Sequence, residues 1–182
     1  MTPVEIISHK DRTIEIYQDE DPQNPRNDDC QDNVETMVCF HNRYNLGDKH
    51  DYRSEDYSGW DEMEAAIRKE HNPVVLLPLY LYDHSGITIS TTQFSCPWDS
   101  MRVGFVFLSR KATMKNWGKK RVSQKMKEMA EKMVKSSVEE YDQYLRGDVY
   151  GYVIKDKDGE KIDSCWGFYG LEYAIESARE AA

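Results

Sequence analysis

Hydrophobic and polar positions alternate with a period of two over Arg12-Thr-Ile-Glu-Ile-Tyr17, the mark of a strand with one buried face. Residues 34–40 predict a second strand. Between them, residues 18–33 are acidic and rich in Pro and Asn, which favour turns over either regular element, so the stretch reads as a long surface loop. Residues 45–58 are polar and read as another. A short helix begins at Ser58-Gly-Trp-Asp-Glu-Met and runs to about Glu70, with acids in its first turn where the helix dipole favours them. Pro73 ends it. The most apolar run, Val74-Val-Leu-Leu-Pro-Leu-Tyr-Leu-Tyr82, precedes an Asp-His-Ser-Gly turn and predicts a buried strand. Pro78 lacks an N–H for the ladder and places that strand at an edge or a bulge. Residues 87–90 complete a hairpin, and 103–108 form a further strand.

Residues 122–145 predict the one long helix, about 36 Å if continuous. Val122, Met126, Met129, Ala130, Met133, Ser137 and Tyr141 recur at steps of three and four and give it a stripe; Gly147 stops it. Residues 148–154 and 161–165 are strands joined by the turn Asp156-Lys-Asp-Gly159, and 171–182 form a terminal helix. Strands that arrive in hairpins predict an α+β fold: a mostly antiparallel sheet with one long helix and two shorter helices packed on it. No repeat or linker divides the chain, so residues 1–182 read as a single domain.

Composition narrows the class. The chain has 182 residues, of which 39% are hydrophobic and 31% charged, with 12 Tyr and 4 Trp. That much aromatic content argues against disorder. No stretch approaches the roughly 18–20 apolar residues of a membrane span, and the N-terminus lacks the pattern of a secretory signal. Cys30, Cys39, Cys96 and Cys165 are dispersed without a C-x-x-C pair, as expected of reduced thiols in a cytoplasmic protein. Charge is uneven along the chain. Residues 1–101 carry 8 basic and 20 acidic side chains, whereas residues 102–135 carry 11 basic and 2 acidic. Such blocks steer association with charged partners.

Signatures of catalysis are sparse. There is no G-x-S-x-G, phosphate-binding loop, G-x-G-x-x-G or H-E-x-x-H. Cys39 and His41 share a strand face and make half of a zinc site whose other half would come from scattered residues such as His50, His84 or Cys96. An EF-hand loop beginning at Asp19 would need Gly where Asn24 stands and Glu where Cys30 stands. No metal or cofactor is therefore expected. Two segments pair a Cys with a Trp beside Asp and small polar residues. One is Tyr82-Asp-His-Ser-Gly86 with Phe94-Ser-Cys-Pro-Trp-Asp-Ser100, and the other is Asp163-Ser-Cys-Trp-Gly-Phe-Tyr-Gly170. Cys96 or Cys165 as nucleophile, His84 as base and Asp83 or Asp99 as orienting acid would make a thiol enzyme. Trp and Phe filling core, with Asp and Ser capping turns, would make the same strings purely structural.

Lys115, Lys119, Lys120, Arg121, Lys125 and Lys127 gather at or near the start of the long helix, and Glu139, Glu140 and Asp142 lie near its end. This order opposes the helix dipole, at about 0.3–1 kcal/mol per charge. Cations beside free helix N–H groups suit an anion, with nucleic-acid phosphate the leading type and Trp117 available for stacking. A solvated face that balances the acidic remainder is the plainer alternative.

The strings Pro78-Leu-Tyr-Leu-Tyr-Asp-His-Ser-Gly86, Ser95-Cys-Pro-Trp-Asp-Ser100, Tyr141-Asp-Gln-Tyr-Leu-Arg-Gly-Asp-Val-Tyr-Gly151 and Asp163-Ser-Cys-Trp-Gly-Phe-Tyr-Gly170 resemble a family of small proteins from phages and mobile elements of gut Firmicutes. That family includes a type II-A anti-CRISPR protein. The resemblance covers roughly residues 74–170. It implies a non-enzymatic inhibitor in the bacterial cytoplasm that binds the RNA-guided type II Cas nuclease with its guide RNA. The acids to test first on that reading are Asp19, Glu20, Asp21, Asp28, Asp29 and Asp32. Asp83, His84, Trp98, Asp99, Asp163, Trp166 and Tyr169 are the family-like surface residues. Two alternatives stay open: a phage accessory protein that binds DNA through the basic helix start, and, more remotely, a Cys- or metal-dependent enzyme. The long helix is also the element through which two copies could pair.

Overall fold

The computed structural model describes residues 1–27, 33–96 and 98–182. Over these residues the fold is α+β, with four α-helices and two antiparallel sheets. The strands form two sheets where the sequence pattern suggested one, and the chain divides into two compact units, each with its own sheet. One unit comprises Met1–Pro25 and Asp142–Ala182; the other is Arg26–Tyr141.

The terminal unit contains β1 (Glu5–His9), β2 (Arg12–Gln18), β7 (Val149–Lys155), β8 (Lys161–Tyr169) and α4 (Leu171–Ala181), with strand order β1-β2-β7-β8. Alternation in β2 turns Ile14 and Ile16 to one side, where they meet Tyr152 and Ile154 of β7 and Ala174 and Ala178 of α4. Two alanines four apart present a flat helical stripe, so α4 can lie close on the sheet. Burial of each such isoleucine stabilises the unit by about 1.5–3 kcal/mol. The β7–β8 turn forms as its sequence predicts: Asp156 Oδ1 accepts from the amides of Asp158 and Glu160, both at 2.9 Å. β8 runs to Tyr169, past the predicted end at 165. Its pairing shifts register between Tyr150 and Tyr152, opposite Trp166 and Gly167, and the extra residue forms a bulge.

The internal unit contains β3 (Thr36–Cys39), α1 (Trp60–His71), β4 (Pro73–Asp83), β5 (Ile87–Ser90), β6 (Ser100–Ser109), α2 (Arg110–Asn116) and most of α3 (Gln124–Arg146), with strand order β3-β6-β4-β5. In β6 every residue from Val103 to Leu108 is buried, so this sheet is covered on both faces. Val38, Phe105 and Phe107 form one face with Met63 and Ile67 of α1. A Cβ at Gly104 would lie 1.9 Å from the Val38 carbonyl oxygen, so only glycine allows β3 and β6 this approach. Pro78 pairs with Phe105 of β6, while β5 pairs only with Tyr80–Asp83. On its other side Pro78 therefore meets no ladder, and the register shift between Leu79 and Tyr80 follows at once.

The predicted stripe of α3 is partly corrected. Its buried residues are Met126, Ala130, Val134, Val138 and Tyr141, while Met129 is exposed. A step of four dominates over the three-residue steps read from the methionines. The Gly47 amide donates to Tyr141 Oη at 3.0 Å, and the Ser137 hydroxyl donates to Glu35. These contacts tie α3 to the residue just before β3 and to the loop that follows it. A short 3-10 turn at Ser54–Asp56 interrupts the predicted loop 45–58.

Candidate functional site

Of the acidic residues expected to meet a partner, Asp19, Glu20 and Asp21 follow β2. The Asp19 amide donates to Val149 at 2.8 Å, and Asp19 Oδ1 accepts from the Asp21 amide at 3.1 Å. This small turn leaves Glu20 and Asp21 exposed. Asp28, Asp29 and Asp32 lie outside the described residues.

The neighbouring Arg26 is a residue that the sequence pattern did not mark. Its side chain is 1% exposed and forms a two-pronged contact with Asp48, Nε–Oδ1 at 2.8 Å and Nη2–Oδ2 at 2.6 Å. Nη1 donates to Glu35 Oε1 at 2.6 Å and to Ser137 Oγ at 3.2 Å. Asp48 Oδ2 also accepts from the Met37 amide at 2.8 Å. Burial disfavours the guanidinium, but the bonds and charge of Asp48, then of Glu35, outweigh it and hold the Arg26 pKa above its ordinary value. The cluster fixes the loops around β3; its polar atoms face one another and leave little to offer a ligand.

The basic residues at and near the start of the long helix are spread over three stretches of chain. Lys115 is in the last turn of α2, and Trp117 is the residue that caps it. Lys119, Lys120 and Arg121 occupy the turn before α3, and only Lys125 and Lys127 are in α3 itself. Ser123 Oγ accepts from the Met126 amide at 3.3 Å, so the chain supplies one partner for the helix end. All six cations are exposed, and none makes an ion pair among the described residues. Trp117 is half-buried.

The first pair of family-like strings meets at the β4–β5 end of the internal unit. The Asp83 amide donates to the Asp99 carbonyl at 3.0 Å. Asp99 Oδ2 lies 3.5 Å from Cys96 Sγ and 3.6 Å from His84 Nδ1. The three residue types of a thiol site are therefore gathered, but the carboxylate stands between sulfur and imidazole. A working relay needs the imidazole next to the sulfur and the acid behind it. Asp83 is engaged by Arg43 and, at 3.4 Å, by Tyr44. Trp98 is 92% exposed. Cys39 and His41 do not pair as zinc ligands: β3 ends at Cys39, and His41 Nδ1 accepts from the amides of Arg43 and Tyr44, both at 3.2 Å. Among the described residues no group of three His, Cys, Asp or Glu side chains is arranged to hold a metal.

The second pair of strings builds a cleft of about 580 Å³ in the terminal unit. Gln143, Asp148 and Tyr150 come from one string, Tyr169 and Gly170 from the other, and Leu171, Glu172, Tyr173 and Glu176 from α4. The Gly170 amide donates to Asp148 at 2.9 Å, and Tyr169 Oη donates to Gln23 at 2.7 Å. Burial, and then the Asp148 carboxylate, push the Tyr150 hydroxyl above its ordinary pKa, with Arg146 opposing. Arg146 also bonds Asp148 at 3.0 Å. On the same unit, the Trp166 ring rests on Gly151, where a Cβ would come within 2.3 Å of it, and lies 6.1 Å from the Tyr17 ring. Asp163 Oδ1 accepts from the Ser164 amide at 2.8 Å and raises the pKa of Tyr152 as a secondary effect to burial.

No family model, curated protein or solved structure matches this chain.

A further cleft in the internal unit, of about 380 Å³, was not legible in the sequence. Tyr52 Oη donates to Glu70 at 2.7 Å and lies 2.9 Å from His71 Nε2. His50 Nε2 is 3.0 Å from the Cys39 carbonyl, and its buried Nδ1 has no partner among the described residues. The residues that line this cleft are spread from Thr36 to Phe107, so no local motif announces them.

Proposed function

We propose that this protein acts by docking: it binds the RNA-guided nuclease of a type II CRISPR system, together with its guide RNA, and blocks DNA targeting or cleavage. The observation that carries this reading is charge left over from folding. Glu20 and Asp21, and separately Lys119, Lys120 and Arg121, are exposed and make no ion pair among the described residues. Surface charges of this kind contribute little to stability, and their fields remain available to a polyelectrolyte. A type II nuclease holds nucleic-acid backbones in cationic channels and reads its adjacent motif with arginines. An acidic surface competes for such places, and Trp98, nine-tenths in solvent, supplies the aromatic anchor that charge alone lacks. The family resemblance of the four strings supports the choice of partner. In this reading the protein works in the bacterial cytoplasm and catalyses no reaction.

The reading is tested by co-elution of the purified protein with a nuclease–guide RNA complex on a sizing column. A stable complex that weakens with added salt, and with Glu20→Lys and Asp21→Lys, is expected; separate elution with several orthologues rejects it. The six exposed cations around the α2–α3 turn favour a second reading, direct contact with nucleic acid. A mobility shift on DNA alone, abolished by charge reversal at Lys119, Lys120 and Arg121, would select that reading over the first.

A further inference from the structure

We infer that the cleft between β8 and α4 is a receptor for an arginine side chain on an extended segment of the partner. The inference deepens the docking reading and rests on it for the nature of the partner. Three aromatic rings, Tyr150, Tyr169 and Tyr173, and three carboxylates, Asp148, Glu172 and Glu176, open onto one concavity of about 580 Å³. That is within the roughly 300–1,000 Å³ of sites that enclose a ligand.

The charge of the occupant follows from the groups that face it. Asp148 is already held by Arg146, and the amino end of α4, capped by no side chain, contributes about half a positive charge. Against these stand Glu172 and Glu176, one helical turn apart and exposed, with no ion pair among the described residues. Like charges at this spacing repel, so the free protein keeps an unfavourable pair that a cation relieves. The cleft is left with an excess of negative charge.

The rings choose among cations. Tyr173 is 59% exposed although its ring packs edge-on against Phe168 at 5.6 Å. A tyrosine face attracts a cation placed over it, and a planar guanidinium can stack there while its N–H fork bonds carboxylates. An ammonium offers neither the plane nor the fork. A cleft this size accepts more than one side chain, hence an extended segment.

The test uses the full chain and the peptide Gly-Arg-Gly-Arg-Gly, with a second peptide carrying neutral citrulline in place of arginine. Binding is followed by NMR of the tyrosine rings. The arginine peptide is expected to shift the Tyr150, Tyr169 and Tyr173 signals saturably, the citrulline peptide is not, and Glu172→Gln with Glu176→Gln should weaken binding about tenfold. Both glutamates are exposed, so the variant keeps its fold, as its unliganded spectrum would verify. No saturable shift, equal shifts with citrulline, or binding indifferent to the two glutamines would each overturn the inference. Peptide binding without nuclease capture would reject the docking partner and leave the cleft; capture without peptide binding would reject the cleft and leave the partner.

Discussion

The backbone amide of Gly170 donates a 2.9 Å hydrogen bond to the carbonyl of Asp148, and both residues line the tyrosine cleft. The bond joins two stretches of sequence that stand out separately for their composition. Gly170 has φ of 93°, and a Cβ there would come within 2.8 Å of Gln143 Nε2. Gly170→Ala should therefore destabilise the protein by about 1–3 kcal/mol, read as a lower midpoint in thermal or urea unfolding. An unchanged midpoint would mean that the turn relaxes into a conformation open to any residue.

Arg26 is the internal unit's electrostatic keystone. Arg26→Met leaves Glu35, whose side chain is 4% exposed, buried without its cation, at a cost of about 3–5 kcal/mol. Adding Glu35→Met removes the stranded charge and should recover part of that loss. Denaturant melts of the single and double variants measure the difference. A double variant no better than the single one would place the damage in packing instead.

Acid should weaken the terminal unit by a defined route. Lys155 Nζ donates to Glu15 Oε1 at 2.7 Å and Tyr17 Oη to Oε2 at 2.6 Å. Together they hold the Glu15 carboxyl below its ordinary range, with Lys155 the larger influence. A carboxyl whose pKa is lowered by folding adds stability above its unfolded value, and that stability is lost as pH falls through the folded value. Stability should thus decline with acid across this interval in the native sequence. Lys155→Met should be less stable at neutral pH and flatter across the same interval, as melts at stepped pH would record.

Thiol labelling separates the cysteines. Burial, with the Asp48 carboxylate second, pushes the Cys39 thiol up to about 12, and the thiolate is the reactive form. Cys165 lies exposed on β8. Iodoacetamide at mildly alkaline pH should modify Cys165 in the folded protein and reach Cys39 only after unfolding. Peptide mapping of the alkylated chain reads this directly, and early labelling of Cys39 would show that the internal unit opens on that timescale.

Much of the architecture was legible because burial writes itself into alternation. Ile14 and Ile16 announce β2, and the apolar run before Asp83 announces β4. β1 left no such trace, since Ile6 of this edge strand is exposed and an edge needs no buried row. α2 is seven residues, Arg110–Asn116, too short for a periodicity to stand out. The division into two sheets depends on β2 pairing with β7, across more than a hundred residues, and no local pattern encodes a pairing at that distance. The cleft was half legible. Asp148, Tyr150 and Tyr169 stood in strings unusual enough to notice, whereas Glu172, Tyr173 and Glu176 read as ordinary helix surface. Arg26 was hidden for the opposite reason: an arginine in a Pro- and Asn-rich stretch predicts exposure, whereas bonds to Glu35, Asp48 and Ser137, far apart in sequence, help make its burial tolerable.

The most direct measurement of the docking account is target DNA cleavage by a purified type II nuclease and its guide RNA, titrated with this protein. Cleavage should stop near one molecule per nuclease, and inhibition should relax as ionic strength rises. Undiminished cleavage at large molar excess, repeated with several orthologous nucleases, would contradict it.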